Sequence, residues 1–353
     1  MKLKIEKQIL ENAIKAVSAF ANKKDNSNVV SCIKFEVSGY DIILSATDYE
    51  FGITKTVSNL GNLEDGLFLI NASSFVSTIS RLKSGEVEIL KDGNKITIKQ
   101  KRSKTVLETF DDEFPQIPNK KDNMGNLTLD YIHFNNAIKA VLSGVDVGNP
   151  KIELGGALFD ISKDNINIVS TDTKCLIINE FNTSSEIESN IIVPKKAIIE
   201  IQKNITSESV IYFDDVNIIL ENDGTIIFSR LINGKFPDYK RVIPKESKYK
   251  IILNSSEFLE SIKCVTGVSE SITMTISNNT ICLKTEDDRN KSEDYIDIKS
   301  DIDNFEISFN SKFFVNFLSV INGEFEMSLN DSNLPILLTC EDLKSIIMPQ
   351  LSN

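Results

Sequence analysis

Tryptophan is missing from this 353-residue chain, and histidine occurs once, at His133. A lone histidine with no Cys, Ser or acidic partner at a motif spacing is far more often a packed or solvated side chain than a general base. No Walker loop, GxGxxG, GxSxG or HExxH occurs, so enzymatic function has no positive support. The five cysteines, Cys32, Cys175, Cys264, Cys282 and Cys340, are scattered and odd in number, which suits neither a disulfide framework nor a CxxC metal pair. The acidic stretches Asp111 to Glu113 and Glu286 to Asp288 could attract a divalent cation. Adjacent carboxylates in turns are ordinarily only solvated, so no metal or cofactor is expected. Apolar runs fall short of the roughly 20 residues that span a bilayer, and "MKLKIEKQIL" lacks the apolar core of a signal peptide. The expectation is a cytoplasmic protein with no membrane partner.

What the chain does have is a repeat. "NAIKAV" stands at Asn12 to Val17 and again at Asn136 to Val141, 124 positions on, and a further 124 positions lead to "ESIKCV" at Glu260 to Val265. The length exceeds one ordinary hydrophobic core, and 41% hydrophobic with 25% charged residues is the balance of a globular protein, so three domains are expected. Polar stretches near residues 122 and 247 place them at 1–122, 123–247 and 248–353.

Each copy opens with a short strand and an amphipathic helix. In the first, Ile9, Leu10, Ala13, Ile14 and Val17 recur at helical spacing, with Lys7, Glu11, Lys15 and Ser18 on the other side. Alternating runs joined by Gly, Asn and Asp turns then predict antiparallel strands, and the first two copies share "ATD" and "STD" at a strand end. A second helix follows, from Asn71, Pro194 and Asn310, with Pro194 suited to a first helical turn and Asn to a cap. More strands complete the unit, so the fold class is α+β, with two helices packed on antiparallel sheets in every domain.

The formal net charge of −12 argues against nucleic acid, provided that it is evenly spread. It is not. The six helical segments together carry +8 and leave −20 for the remainder. Lys7, Lys15, Lys23, Lys24, Arg81, Lys83, Lys139, Lys195, Lys196, Lys203, Lys263 and Lys312 supply the positive side, although the first helix of the third copy is net acidic. Surface helices commonly carry lysine. In a threefold repeat, however, equivalent helices face one way, and modest charges add into a surface that attracts phosphate without reading bases.

Taken together, "SATDYEFGI", "LFLINASSF", "FDDEFPQIP", "STDTKCL", "FPDYKRVIP" and the terminal "IIMP", in order along the whole chain, resemble the bacterial DNA sliding clamps, the β subunits of replicative DNA polymerase III. The resemblance implies three domains of the DNA-clamp fold, closed into a ring by head-to-tail dimerisation around non-specifically held duplex DNA. It also implies a pocket that receives short linear motifs from the replicative polymerase, the clamp-loader ATPase and repair proteins. Matched motif by motif, the pocket takes Leu154, Thr171, Thr173, Lys174, Leu176, Pro237, Arg241, Val242, Asn310, Phe313, Pro335, Ile346, Ile347, Met348 and Pro349. DNA falls to Lys7, Lys15, Lys23, Lys24, Arg81, Lys139, Lys195, Lys196 and Lys203, and the dimer edge to Val106 and Leu107. Where the family commonly has "TDGHRL" this chain has "TDTKCL", with Thr173 in place of glycine, and its tail reads "MPQLSN" rather than "MPMRL". A repeat scaffold that binds only proteins is the alternative from another class, and a metal-dependent enzyme using Asp111 to Glu113 a third.

Overall fold

The structure is a computed structural model, described here for residues 1–22, 28–58, 64–183, 185, 187–205, 207, 209–302 and 304–350. Lys23 and Lys24 lie outside the described residues. Six helices punctuate these residues: α1 (Lys7–Ser18), α2 (Ala72–Ser80), α3 (Tyr131–Val141), α4 (Lys195–Asn204), α5 (Ser255–Val265) and α6 (Ser311–Leu318). The repeated hexapeptides lie in α1, α3 and α5, as the periodicity predicts. Asn71, Asn254 and Asn310 each accept a hydrogen bond from a backbone N–H in the first turn of α2, α5 and α6, satisfying donors that the helix itself leaves open. Pro194 ends the strand Ser189–Pro194 just before α4 and is not within the first helical turn. Its fixed φ serves strand exit and helix entry alike.

Two compact units emerge from the contacts, one of residues 1–131 with 200–231, the other of residues 132–199 with 232–353. In the first, a four-stranded antiparallel sheet runs in the order Lys2–Glu6, Glu86–Asp92, Lys95–Gln100, Ser103–Glu108. An eight-stranded sheet runs Gly66–Asn71, Cys32–Ser38, Asp41–Thr47, Phe51–Ser58, Thr225–Arg230, Asn217–Asn222, Ser209–Phe213, Gly125–Leu129. Its middle is a seam between sequence repeats, with Ile53 opposite Ile227 and Gly52 opposite Phe228. The alternation does the rest: Leu3 and Ile5 point into the core at 0% and 4% exposure while their neighbours face water. On the helix side, Phe75 of α2 stands edge-on to Phe35 and Phe68 with centroids 6.0 and 6.3 Å away. Burying such a ring is worth about 1.5–3 kcal/mol.

The second unit repeats the plan. Its eight strands run Ser189–Pro194, Gly156–Ile161, Asn165–Thr171, Cys175–Asn182, Leu343–Ile347, Ile336–Cys340, Glu324–Leu329, Tyr249–Asn254, and its four run Lys291–Asp297, Thr280–Glu286, Ser271–Ser277, Phe305–Asn310. The seam sets Cys175 opposite Ile347 and Asn179 opposite Leu343. Phe258 of α5 meets Phe314 of α6 at 5.7 Å and Phe325 at 5.9 Å. The middle repeat thus has strands in both units, and each eight-stranded sheet is built by two repeats. Among the described residues no helix is long and apolar enough to cross a membrane.

Candidate functional site

The residues matched to the peptide pocket all fall in the second unit, around its seam. Leu154 sits at 0% exposure in the short 3-10 helix Ile152–Gly155. Gly156 follows because a Cβ there would lie 2.4 Å from the carbonyl oxygen of Val193, closer than any side chain tolerates. Leu154, Leu176 and Ile346 join one buried apolar cluster with Leu158, Ile192, Phe236 and Tyr239. Above it the loop bearing Pro237 ends in the 3-10 helix Tyr239–Val242, which leaves Val242 48% exposed and Arg241 out in solvent, its guanidinium 2.7 Å from Asp238.

The turn Thr171 to Cys175 forms the next wall. Thr171 Oγ1 donates to the Cys175 carbonyl at 2.7 Å and accepts from Thr173 N at 3.0 Å, while Asp172 Oδ1 accepts from Lys174 N and Cys175 N at 2.9 and 2.8 Å. This closed network forces Thr173 to φ +78°, a left-handed conformation that suits the glycine of the family motif better than a β-branched residue. Asp and Thr are at this strand end because their short acceptors satisfy turn amides.

The C-terminal residues complete the arrangement. Met348 N donates to the Lys174 carbonyl at 2.8 Å and Gln350 N to the Ser308 carbonyl at 2.7 Å, so the tail runs from the turn to the strand that leads into Asn310 and α6. Met348 is 42% exposed, Pro349 and Pro335 are half-buried, and Phe313 is 9% exposed. Ile347 departs from the expected set. Strand alternation puts it on the face opposite Ile346, at 0% exposure and paired with Cys175 and Ile336, so it belongs to the core behind the pocket.

One polar group at the cluster escaped the sequence reading. The Tyr239 hydroxyl donates to Asp160 Oδ2 at 2.6 Å, and Lys240 Nζ lies 2.9 Å from the same oxygen. Burial, then the hydrogen bond to Asp160, pushes the Tyr239 phenol well above its ordinary range. Asp160 stands 79 positions from Tyr239 and all three are of ordinary type, so no motif spacing pointed to them.

The basic helices are less uniform than their composition. On α1, Glu11 is nearly buried and paired with both Lys7 and Lys15, the latter at 2.6 Å. Hydrogen bonds from Lys15, Lys7 and Ser80 hold its carboxyl at about 2. Lys7, 12% exposed at its side chain, is committed to Glu11 and is covered, which sequence spacing did not predict; Lys15 remains 55% exposed. Arg81, Lys139, Lys196 and Lys203 are exposed; Lys203 pairs with Glu200 at 2.8 Å, and half-buried Lys195 donates to the Val145 carbonyl at 2.9 Å. Val106, at 49% exposure, and half-buried Leu107 lie on the edge strand Ser103–Glu108. His133 is on the exposed side of α3, and Asp287 is a turn acceptor for the amides of Arg289 and Asn290, which lower its pKa. Among the described residues no three His, Cys, Asp or Glu side chains converge as metal ligands do.

Sheets shared between repeats, amphipathic helices bearing lysine and a buried apolar cluster closed by a C-terminal strand define a protein of the DNA-clamp fold. Comparison with known proteins specifies the family. The descriptions "DNA polymerase III beta subunit" N-terminal, central and C-terminal domain match residues 1–118, 128–238 and 240–350, and the chain belongs to that family, the bacterial sliding clamps, which are processivity factors. The beta sliding clamp of Helicobacter pylori is 29% identical over 351 residues, 96% of this chain and 94% of that one. The clamp of Vibrio cholerae is 21% identical over 364 residues, 99% of each. The crystal structure of the H. pylori beta clamp bound to a DNA ligase peptide superposes with a TM-score of 0.94 at 29% identity, covering all of both chains. The DNA polymerase III subunit beta of Pseudomonas aeruginosa, at 21% identity, has the same fold with a TM-score of 0.93 over both full chains.

Proposed function

We propose that two copies of this chain, whose three domains span 1–122, 123–247 and 248–353, join head to tail into a ring. The ring encircles duplex DNA in the cytoplasm and tethers the replicative polymerase, the clamp loader and repair proteins by short peptides. The observation that carries this reading is a pair of sheet edges with no strand partner among the described residues. Within each repeat the strand after the turn built on Asp48, Asp172 or Asp287 and the last strand occupy fixed places, and at both seams the two kinds pair: Phe51–Ser58 with Thr225–Arg230, and Cys175–Asn182 with Leu343–Ile347. The third strand of the first kind, Lys291–Asp297, and of the second, Ser103–Glu108, each end a four-stranded sheet. Exposed edges seek partners, and pairing these two between copies leaves neither open. Carrying the seam register across sets Val106 opposite Lys291 and Lys104 opposite Glu293, a favourable cross-strand pair.

On this reading Lys15, Arg81, Lys139, Lys195, Lys196 and Lys203 face the DNA; Lys23 and Lys24, which the resemblance adds to the DNA contacts, lie outside the described residues. Diffuse phosphate contacts permit sliding because they carry no sequence information. Partner peptides place an apolar anchor over Leu154, Leu176 and Ile346, between Val242 and Met348, with Thr173, Lys174, Arg241, Asn310 and Pro349 at the rim. The likeness to the H. pylori clamp with its bound ligase peptide supports this use of the pocket. The test is small-angle scattering with absolute mass, together with Lys104→Cys and Glu293→Cys in a Cys264→Ser background. A hollow dimer that oxidation cross-links only when both cysteines are present is expected. A monomer at high concentration, or no cross-link, refutes the ring and its register.

A further inference from the structure

The internal repeat has a second consequence. Because the first eight-stranded sheet copies the second, the first unit has its own version of the peptide pocket, built from different side chains. By strand register and by the paired hydrogen bonds Arg230 N to the Glu50 carbonyl and Met348 N to the Lys174 carbonyl, Tyr49 stands where Thr173 stands, Phe228 where Ile346 does and Arg230 where Met348 does. Asn217, opposite Arg230 in the hairpin, takes the place of Pro335, which precedes Ile336 opposite Ile347. These four positions are not merely surface. They line one cavity of about 330 Å³, together with Met124 and Lys121.

We infer that this cleft is a second docking site, which takes a short acidic peptide carrying an apolar anchor. The inference rests on the peptide-pocket reading above. The floor is apolar and formed, since Met124, Ile219 and Phe228 make a buried cluster at 7%, 1% and 2% exposure. Tyr49 and Val216 stand over it at 58% and 53% exposure, apolar area on offer to a ligand. The size suits one or two side chains and not a folded domain.

Charge selects the flanks. Lys121 and Arg230 are exposed on the rim. Arg230 pairs with Glu50 at 3.6 Å, an exposed pair that costs little to exchange for a ligand carboxylate. The carboxylate in the lining itself, Asp214, is already engaged by the amides of Val216 and Asn217 at 2.8 and 2.7 Å. Where the second unit has Met348 at its pocket mouth, the first has a guanidinium, so the two clefts share a shape and differ in what they attract.

The chain supplies its own reporters, for among its five methionines Met124 lines this cleft and Met348 the other pocket. The experiment titrates the full-length protein, labelled with ¹³C at the methionine methyls and assigned with Met124→Leu and Met348→Leu, with acetyl-Asp-Ile-Phe-Asp-Glu-amide to ~1 mM. The Met124 methyl is expected to shift saturably. Lys121→Glu with Arg230→Glu should raise the half-saturating concentration at Met124 at least tenfold and leave that at Met348 unchanged. Met348 moving while Met124 stays fixed overturns the second site and spares the first pocket. Met124 moving alone upholds it and removes the pocket assignment, and neither moving overturns both. An equal Met124 response to acetyl-Lys-Ile-Phe-Lys-Lys-amide refutes the acidic occupant.

Discussion

The turn Thr47 to Phe51 in the first unit and the turn Thr171 to Cys175 in the second are built from the same parts. In each, a threonine hydroxyl donates to the carbonyl four residues on, at 2.9 and 2.7 Å, and an aspartate carboxylate accepts the two amides that follow. In each, the middle residue is left-handed, Tyr49 at φ +75° and Thr173 at φ +78°. What differs is what the frame presents: an exposed ring and Glu50 in one, a small hydroxyl and Lys174 in the other. Backbone demand fixes Thr and Asp, whereas the two outward positions are free to specialise. That separation explains why the "TD" pair is shared by both repeats while the residues beside it diverge.

The comparison can be broken most forcibly at the floors of the two clefts. Phe228→Ala should cost the first unit about 3–5 kcal/mol and Ile346→Ala the second about 2–5 kcal/mol. Amide exchange at Ile53 and at Ile177 reads each sheet by itself, and equal losses at both amides for either variant would show that the two sheets do not respond separately. Removing the shared acceptor is milder. Asp48→Ala and Asp172→Ala should each destabilise by about 1 kcal/mol, since the released amides are near water, and unequal costs would mean that the turns are not equivalent.

Peptide affinity sharpens the difference between the clefts. Met348→Ala with Pro349→Ala should weaken a peptide held in the second unit by about tenfold, a loss of about 1.4 kcal/mol, with dimer mass unchanged in scattering. Thr173→Gly is the smallest change. It relieves the left-handed strain and stabilises by about 0.5–1 kcal/mol, measured by urea midpoint, whereas Thr173→Val should not. In the first unit, acid titrates a buried ion-paired carboxylate on α1. Glu11, held at about 2 against an ordinary 4.5, gives stability that is complete above pH 4.5 and is lost as pH falls from 4.5 toward 2. Glu11→Gln should remove that part of the acid transition.

Much of the fold was legible because it is local and repeated. Helical spacing around "NAIKAV", alternation in the strands, and Asn71 and Asn310 at their caps all act within a few residues. The pairing of Phe51–Ser58 with Thr225–Arg230 joins residues some 170 positions apart, and no pattern in either strand names its partner. A separation of 79 positions likewise hid the contact of Asp160 with Tyr239 and Lys240. Ile347 was misplaced because a motif match treats neighbours alike, whereas a strand sends them to opposite faces. Lys7 was counted as free charge because composition does not reveal that Glu11, four residues on, is drawn into the packing against α2.

The first seam also imposes a timetable. The strand Phe51–Ser58 leaves the ribosome 167 residues before Thr225, which at 5–20 residues per second is a wait of roughly ten to thirty seconds. Throughout it, that strand is a sheet margin with no neighbour, open to another nascent chain. Lys55, whose ammonium later donates to Thr225 Oγ1 at 3.0 Å, stands on that margin as a charge that discourages wrong pairing until the right strand arrives.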